Sequence, residues 1–111
     1  MNKSLEYYHG EDKLLVYVTG EIDHHSCEGL RLAADELINR FTPEKTVLDF
    51  RDVTFCDSSG IAFILGRYKL VSAMGKSISV INIPPQPYKI FTLAAVNKIV
   101  SLSPLKIPSR K

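Results

Sequence analysis

The feature that most constrains this chain is a change of period in its apolar residues. Leu14-Leu15-Val16-Tyr17-Val18-Thr19-Gly20 is rich in β-branched and aromatic residues, and His9-Gly10-Glu11-Asp12 and Gly20 bound it. That is a strand pattern, with residues 4–8 placed to pair with it in a hairpin. From Asp23 the spacing turns helical: Cys27, Leu30, Ala33 or Ala34, Leu37, Ile38 and Phe41 recur at three and four residues, and Thr42-Pro43 ends the run. Residues 46–50, Thr-Val-Leu-Asp-Phe, return to strand character. Strand, helix and strand in succession form a crossover unit, which favours parallel, right-handed pairing.

The same alternation continues to the end of the chain. A helix is expected over residues 58–74, ended by Gly75, with Ile61, Ile64, Leu65, Tyr68 and Val71 on the face laid against the sheet. Phe63, Gly66 and Leu70 form a second stripe nearly opposite. Either a neighbouring helix covers that stripe, or Phe63 belongs to a protein-binding surface. Further on, residues 77–83 read as a strand, 87–96 as a helix and 99–102 as a short strand. The expected fold class is α/β: one domain over residues 1–103, a small mixed sheet with helices packed against it, and a basic, flexible tail over 104–111.

Length and composition narrow the function classes. The chain has 111 residues, 45% of them hydrophobic, the size and apolar content of one domain with one core. No stretch approaches the roughly 20 apolar residues of a membrane span, and the first residues lack the apolar segment of a secretory signal. A soluble, cytoplasmic protein with no membrane partner is expected. The basic excess sits in the last eight residues, which hold three of the 14 Lys and Arg and no acid, leaving 11 basic against 12 acidic groups elsewhere. Without clustered cations, nucleic acid is not an expected partner. Cys27 and Cys56 have no metal-type or CxxC spacing, and His9 is far in sequence from His24 and His25, so no metal and no cofactor is expected. Asp23, His24 and His25 offer a histidine and a carboxylate for a hydrolytic serine, but there is no GxSxG elbow, and no nucleotide-binding glycine motif either.

One short run draws attention: Cys56-Asp57-Ser58-Ser59-Gly60, where a strand gives way to a helix. Asp and Ser are preferred helix caps, because their oxygens accept free N–H groups of the first turn. A serine here is also well placed to carry a phosphoryl group, whose charge of about −1.5 to −2 meets those N–H groups and the positive end of the helix dipole. Gly60 removes bulk beside the turn and leaves its backbone open to close approach. These considerations do not choose between Ser58 and Ser59.

The run Gly20-Glu21-Ile22-Asp23-His24-His25, together with Asp57-Ser58-Ser59-Gly60-Ile61 and Ile64-Leu65-Gly66-Arg67-Tyr68-Lys69, resembles the anti-sigma factor antagonists built on the STAS fold, most of all their sporulation sigma F branch. The resemblance reaches from the first strand pair to about Val100, and the closing SLSPLKIPSRK matches no motif of the family. It implies a non-enzymatic, phosphorylatable binding protein. In that family Ser58 is the position phosphorylated by the anti-sigma factor, a serine kinase that uses ATP. The unphosphorylated antagonist binds this ATP- or ADP-bound kinase and frees the sigma factor, and a metal-dependent serine phosphatase resets the cycle. The expected partner surface comprises Glu21, Asp23, His24, Asp57, Ser59, Gly60, Ile61 and Phe63. The alternative is a STAS module serving a stress-signalling complex or a transporter.

Overall fold

The computed structural model describes residues 5–106. β1 (Glu6–Gly10) and β2 (Lys13–Ile22) form an antiparallel hairpin. Glu11 and Asp12, with φ of 53° and 65°, make the two-residue loop between them, a backbone whose twist matches that of the flanking strands. α1 (Cys27–Phe41) leads to β3 (Lys45–Cys56), α2 (Ser58–Ala73) to β4 (Ser77–Ile83), and α3 (Pro85–Leu93) with a 3₁₀ turn (Val96–Lys98) to β5 (Ser101–Pro104). The strand order is β1-β2-β3-β4-β5, and every pair after the first is parallel. This is the mixed sheet expected of the α/β class.

Because each right-handed crossover advances the sheet in one direction, the helices line up on one face. The strands show which face that is. Along β2, Leu14, Val16 and Val18 are fully buried, while the alternate residues Tyr17 and Thr19 are exposed. Leu48, Phe50 and Val80 bring the same face of β3 and β4 into the core, against Leu30, Ala34, Leu37 and Ile38 of α1, Phe63, Ile64 and Val71 of α2, and Phe91 of α3. Burying one such side chain contributes about 1.5–3 kcal/mol.

Several boundaries differ from the sequence expectation, each for a local reason. β2 does not stop at Gly20: that residue, at φ 85°, lies where the β2–β3 register shifts, and pairing resumes with Glu21 opposite Phe55 and Ile22 opposite Cys56. The glycine marks a bulge rather than an end. β3 likewise runs six residues past Phe50, since its polar Arg51 and Asp52 are exposed while Val53 and Cys56 turn inward. α1 starts at Cys27, not at Asp23. α3 begins at Pro85, which is compatible with a first helical turn because its missing N–H has no partner there. It ends at Leu93, and Ala95 at φ 62° redirects the chain before β5. Leu105 N–H still bonds Ile83 O at 2.8 Å, and the remainder of the expected tail, 107–111, lies outside the described residues, as does Ser4 of the expected hairpin.

Candidate functional site

Two strand-to-helix turns meet at one end of the sheet, because β2 and β3 are parallel neighbours that finish level at Ile22 and Cys56. The Asp57 N–H donates to Ile22 O at 3.2 Å and ties the two exits together. The turn after β2 is closed by one carboxylate: Asp23 Oδ1 accepts from the N–H groups of His25 and Ser26, both at 2.9 Å. The Ser26 hydroxyl donates to Glu21 O at 2.6 Å and accepts from the Asp23 N–H at 3.1 Å. The Ser26 N–H, stabilising the carboxylate form, holds the Asp23 carboxyl below its ordinary value, and the His25 N–H adds to the effect. His24 and His25 are exposed, with rings 5.7 Å apart and edge to face.

The turn after β3 divides its labour among neighbours. Asp57, in extended conformation, is the N-cap of α2, its Oδ1 accepting from the Ser59 N–H at 2.7 Å. Its carbonyl accepts from the Gly60 N–H at 2.9 Å. With the cap supplied by Asp57, neither serine hydroxyl is needed for it. Ser58 is exposed, and among the described residues its hydroxyl has no hydrogen-bond partner. Ser59 is half-buried and faces α1, lining a cavity of about 300 Å³ with Cys27, Glu28, Arg31, Ala62, Phe63 and Arg67. Glu21 is exposed, and Ile61 is half-buried against the core.

Two expected partner contacts are corrected by this geometry. Phe63 is 3% exposed, its ring 6.5 Å from that of Phe50, so this residue of the second α2 stripe belongs to the core rather than to a binding surface, while Gly66 and Leu70 are half-buried. α2 is the middle helix and has α1 and α3 on either side of it as well as the sheet beneath. Gly60 is buried too. A Cβ there would lie 2.8 Å from Cys56 Sγ and 3.3 Å from the Phe91 ring, so its missing side chain makes room for the core and not for a visitor.

Arg67 is the residue whose part the sequence concealed. Its side chain is 5% exposed, lies over the Phe63 ring at 5.4 Å, and donates to Phe63 O at 3.3 Å. Its Nε meets Asp35 Oδ1 of α1 at 2.7 Å, an ion pair without the straight N–H···O alignment of a hydrogen bond. Burial pushes the guanidinium below its ordinary value, and the Asp35 charge opposes the shift. The signal was an arginine at the helical spacing of buried Gly60, Phe63 and Ile64, opposite an aspartate within an apolar helix face.

Among the described residues, no group of three or more His, Cys, Asp and Glu is arranged to hold a metal ion. No helix among them is long and apolar enough to cross a membrane. What the arrangement offers is an exposed primary hydroxyl at a helix N-terminus, on an edge carrying the carboxylates of Glu21, Asp23 and Asp57.

A single sheet with one helical layer and a presented serine at the α2 N-terminus defines a class, and residues 4–107 match the STAS domain. The chain belongs to the STAS-domain family, among its anti-sigma factor antagonists. It is 35% identical over 102 residues to the anti-sigma F factor antagonist of Paenibacillus polymyxa, covering 92% of this chain and 87% of that one. The fold is similar to the solved structure of the anti-sigma factor antagonist SpoIIAA in its unphosphorylated form, with TM-score 0.65, 20% identity, and 96% and 90% of the two chains covered. It is also similar to that of the Bacillus cell fate determinant SpoIIAA in the phosphorylated form, with TM-score 0.68, 22% identity, and 89% and 90% covered. At these identities the likeness to the solved structures is one of fold.

Proposed function

We propose that this antagonist acts in a sporulation sigma F pathway, where its unphosphorylated form binds an anti-sigma factor that is also a serine kinase and so releases the sigma factor. Phosphorylation of Ser58 ends that binding, and a metal-dependent serine phosphatase restores it. The observation that carries this reading is the contrast between the two serines: Ser58 is exposed with a free hydroxyl, whereas Ser59 is half-buried against α1. A kinase bound over this edge reaches Ser58 first. Glu21, Asp23, His24, Asp57, Ser59 and Ile61 form the surrounding contact surface, and its three carboxylates suit a cationic face on the kinase.

The switch needs no change of fold. A phosphate placed in the interface brings charge that must be desolvated, beside Asp57 and facing the nucleotide phosphates of the kinase. A penalty of about 3–4 kcal/mol lowers affinity by a factor of several hundred. The test is to incubate the protein with the kinase and ATP, locate the added phosphate by mass spectrometry, and follow the complex by gel filtration. The expected result is modification at Ser58, loss of the complex, and neither change in Ser58→Ala. Phosphate found on Ser59, or a phosphorylated protein that still binds as tightly as the free one, overturns the reading.

A further inference from the structure

The strand that presents Ser58 is paired on one side only along its last residues. The β3–β4 ladder ends at Asp49 opposite Ile81, and β3 continues from Phe50 to Cys56 beyond it. In an extended strand the N–H and C=O of one residue point to the same edge, and successive residues alternate. Asp57 directs its N–H to β2, where Ile22 O accepts it. Cys56 therefore directs both of its polar groups to the edge that β4 does not reach.

Gln86 stands there instead. Its Oε1 accepts from the Cys56 N–H at 3.0 Å, and its Nε2 donates to Cys56 O at 2.8 Å. A primary amide carries the same donor and acceptor pair as a peptide unit, so this side chain completes the ladder as one residue of a missing strand would. Its own backbone is fixed by the residues around it: Pro84 is the N-cap of α3, and Pro85 and Pro87 lie in its first turn. Each proline holds φ near −65°, which leaves few conformations to lose when the amide engages. Through this contact the start of α3 grips the residue immediately before the Asp57 cap and two before Ser58.

We propose that Gln86 is a positioning residue for the Ser58 turn: by pairing with both backbone groups of Cys56 it holds the end of β3, and hence the α2 N-terminus, in the geometry that the anti-sigma kinase recognises. The part played towards the kinase rests on the proposed function above, whereas the grip on Cys56 does not. Glu21, Asp23 and Ser58 line up only if the exits of β2 and β3 stay level. The Asp57–Ile22 bond holds one side of the β3 exit and Gln86 the other.

The test uses Gln86→Met, which keeps the length of the side chain without its amide, and Gln86→Ala. Hydrogen exchange of the Cys56 amide in the free protein is read by NMR, and steady-state phosphorylation by the kinase is read as KM and kcat separately. Loss of two partly solvated hydrogen bonds is expected to speed exchange at Cys56 about tenfold in both variants. It should raise KM for the protein substrate several-fold with kcat near that of the parent, since the acceptor is intact but its presenting turn is less often in register. A residue that only stabilises the fold would lower the melting temperature and leave KM unchanged at 25 °C. Parent-like exchange at Cys56 in both variants overturns the grip. Faster exchange with unchanged KM overturns the positioning role. A parent protein that takes no phosphate at Ser58 also overturns the positioning role, while the exchange measurement still decides the grip by itself.

Discussion

A methyl group added at Gly60 would sit 2.8 Å from Cys56 Sγ and 3.3 Å from both Cys56 Cβ and the Phe91 ring, atoms that are themselves fully buried. Gly60→Ala should therefore lower stability by about 1–3 kcal/mol, the usual cost of overpacking, despite the better helix propensity of alanine. Urea unfolding measures it: an unchanged midpoint would show that the site relaxes freely. In the double variant with Cys56→Ala part of the loss should return, because the sulfur is the nearest obstacle. Burial, reinforced by the Asp57 charge, pushes the Cys56 thiol up to about 12 from an ordinary 9.0. The fold thus favours the neutral thiol, and stability falls as pH rises through 9.0 towards 12, where the unfolded chain ionises first. At pH 8 a thiol reagent should modify half-buried Cys27 readily and Cys56 only on unfolding. Equal rates for the two thiols in the native protein would contradict the burial. The tight contact of Cys56 with Gly60 was not legible in the sequence, because it depends on how the end of β3 meets the first turn of α2.

At the scale of elements, the spacing of apolar residues was sufficient to locate every strand and helix described, and to place the Asp57–Ser58 run at a strand-to-helix exit. It misjudged the faces of α2. Spacing laid Ile61, Leu65 and Tyr68 against the sheet and left the Phe63 stripe open between a neighbouring helix and a binding surface, whereas the middle position of α2, with a helix on either side, buries Phe63 and Arg67 and leaves those three half-buried. Arg67 is tolerated there because Asp35 of α1 meets it. Asp35→Ala should cost about 3 kcal/mol, the low end for a broken buried pair because Asp35 keeps 24% exposure. The pair Asp35→Leu with Arg67→Met should recover most of that loss, since a well-packed apolar pair of similar volume replaces an ion pair with little penalty. Thermal unfolding of the three variants decides the matter. A double variant no more stable than Asp35→Ala would mean that the arginine serves packing that methionine does not reproduce. Gln86 was invisible for a different reason: its role depends on where β4 stops pairing with β3, and no periodicity reports the end of a ladder.

The whole molecule separates a rigid body from a presented edge, and this separation bears on how a phosphate can act. The core lies between the sheet and the three helices, while Ser58 stands outside it, exposed and without a hydroxyl hydrogen bond to break. A phosphoryl group there meets the first N–H groups of α2 and the positive end of its dipole, which offsets repulsion from Asp57. Neither the sheet register nor the Asp35–Arg67 pair is touched, so the phosphorylated and free proteins should share one backbone. Amide chemical shifts should change around residues 56–62 and in the facing turn at 23–26, with those of β4 and the body of α3 nearly unmoved. If instead the shifts of β4 and α3 change throughout, the phosphate acts by rearranging the fold, and the account of the switch as charge placed in an interface fails. Where perturbation does reach α3, it should enter at Gln86, whose side chain is hydrogen-bonded to the strand that presents Ser58.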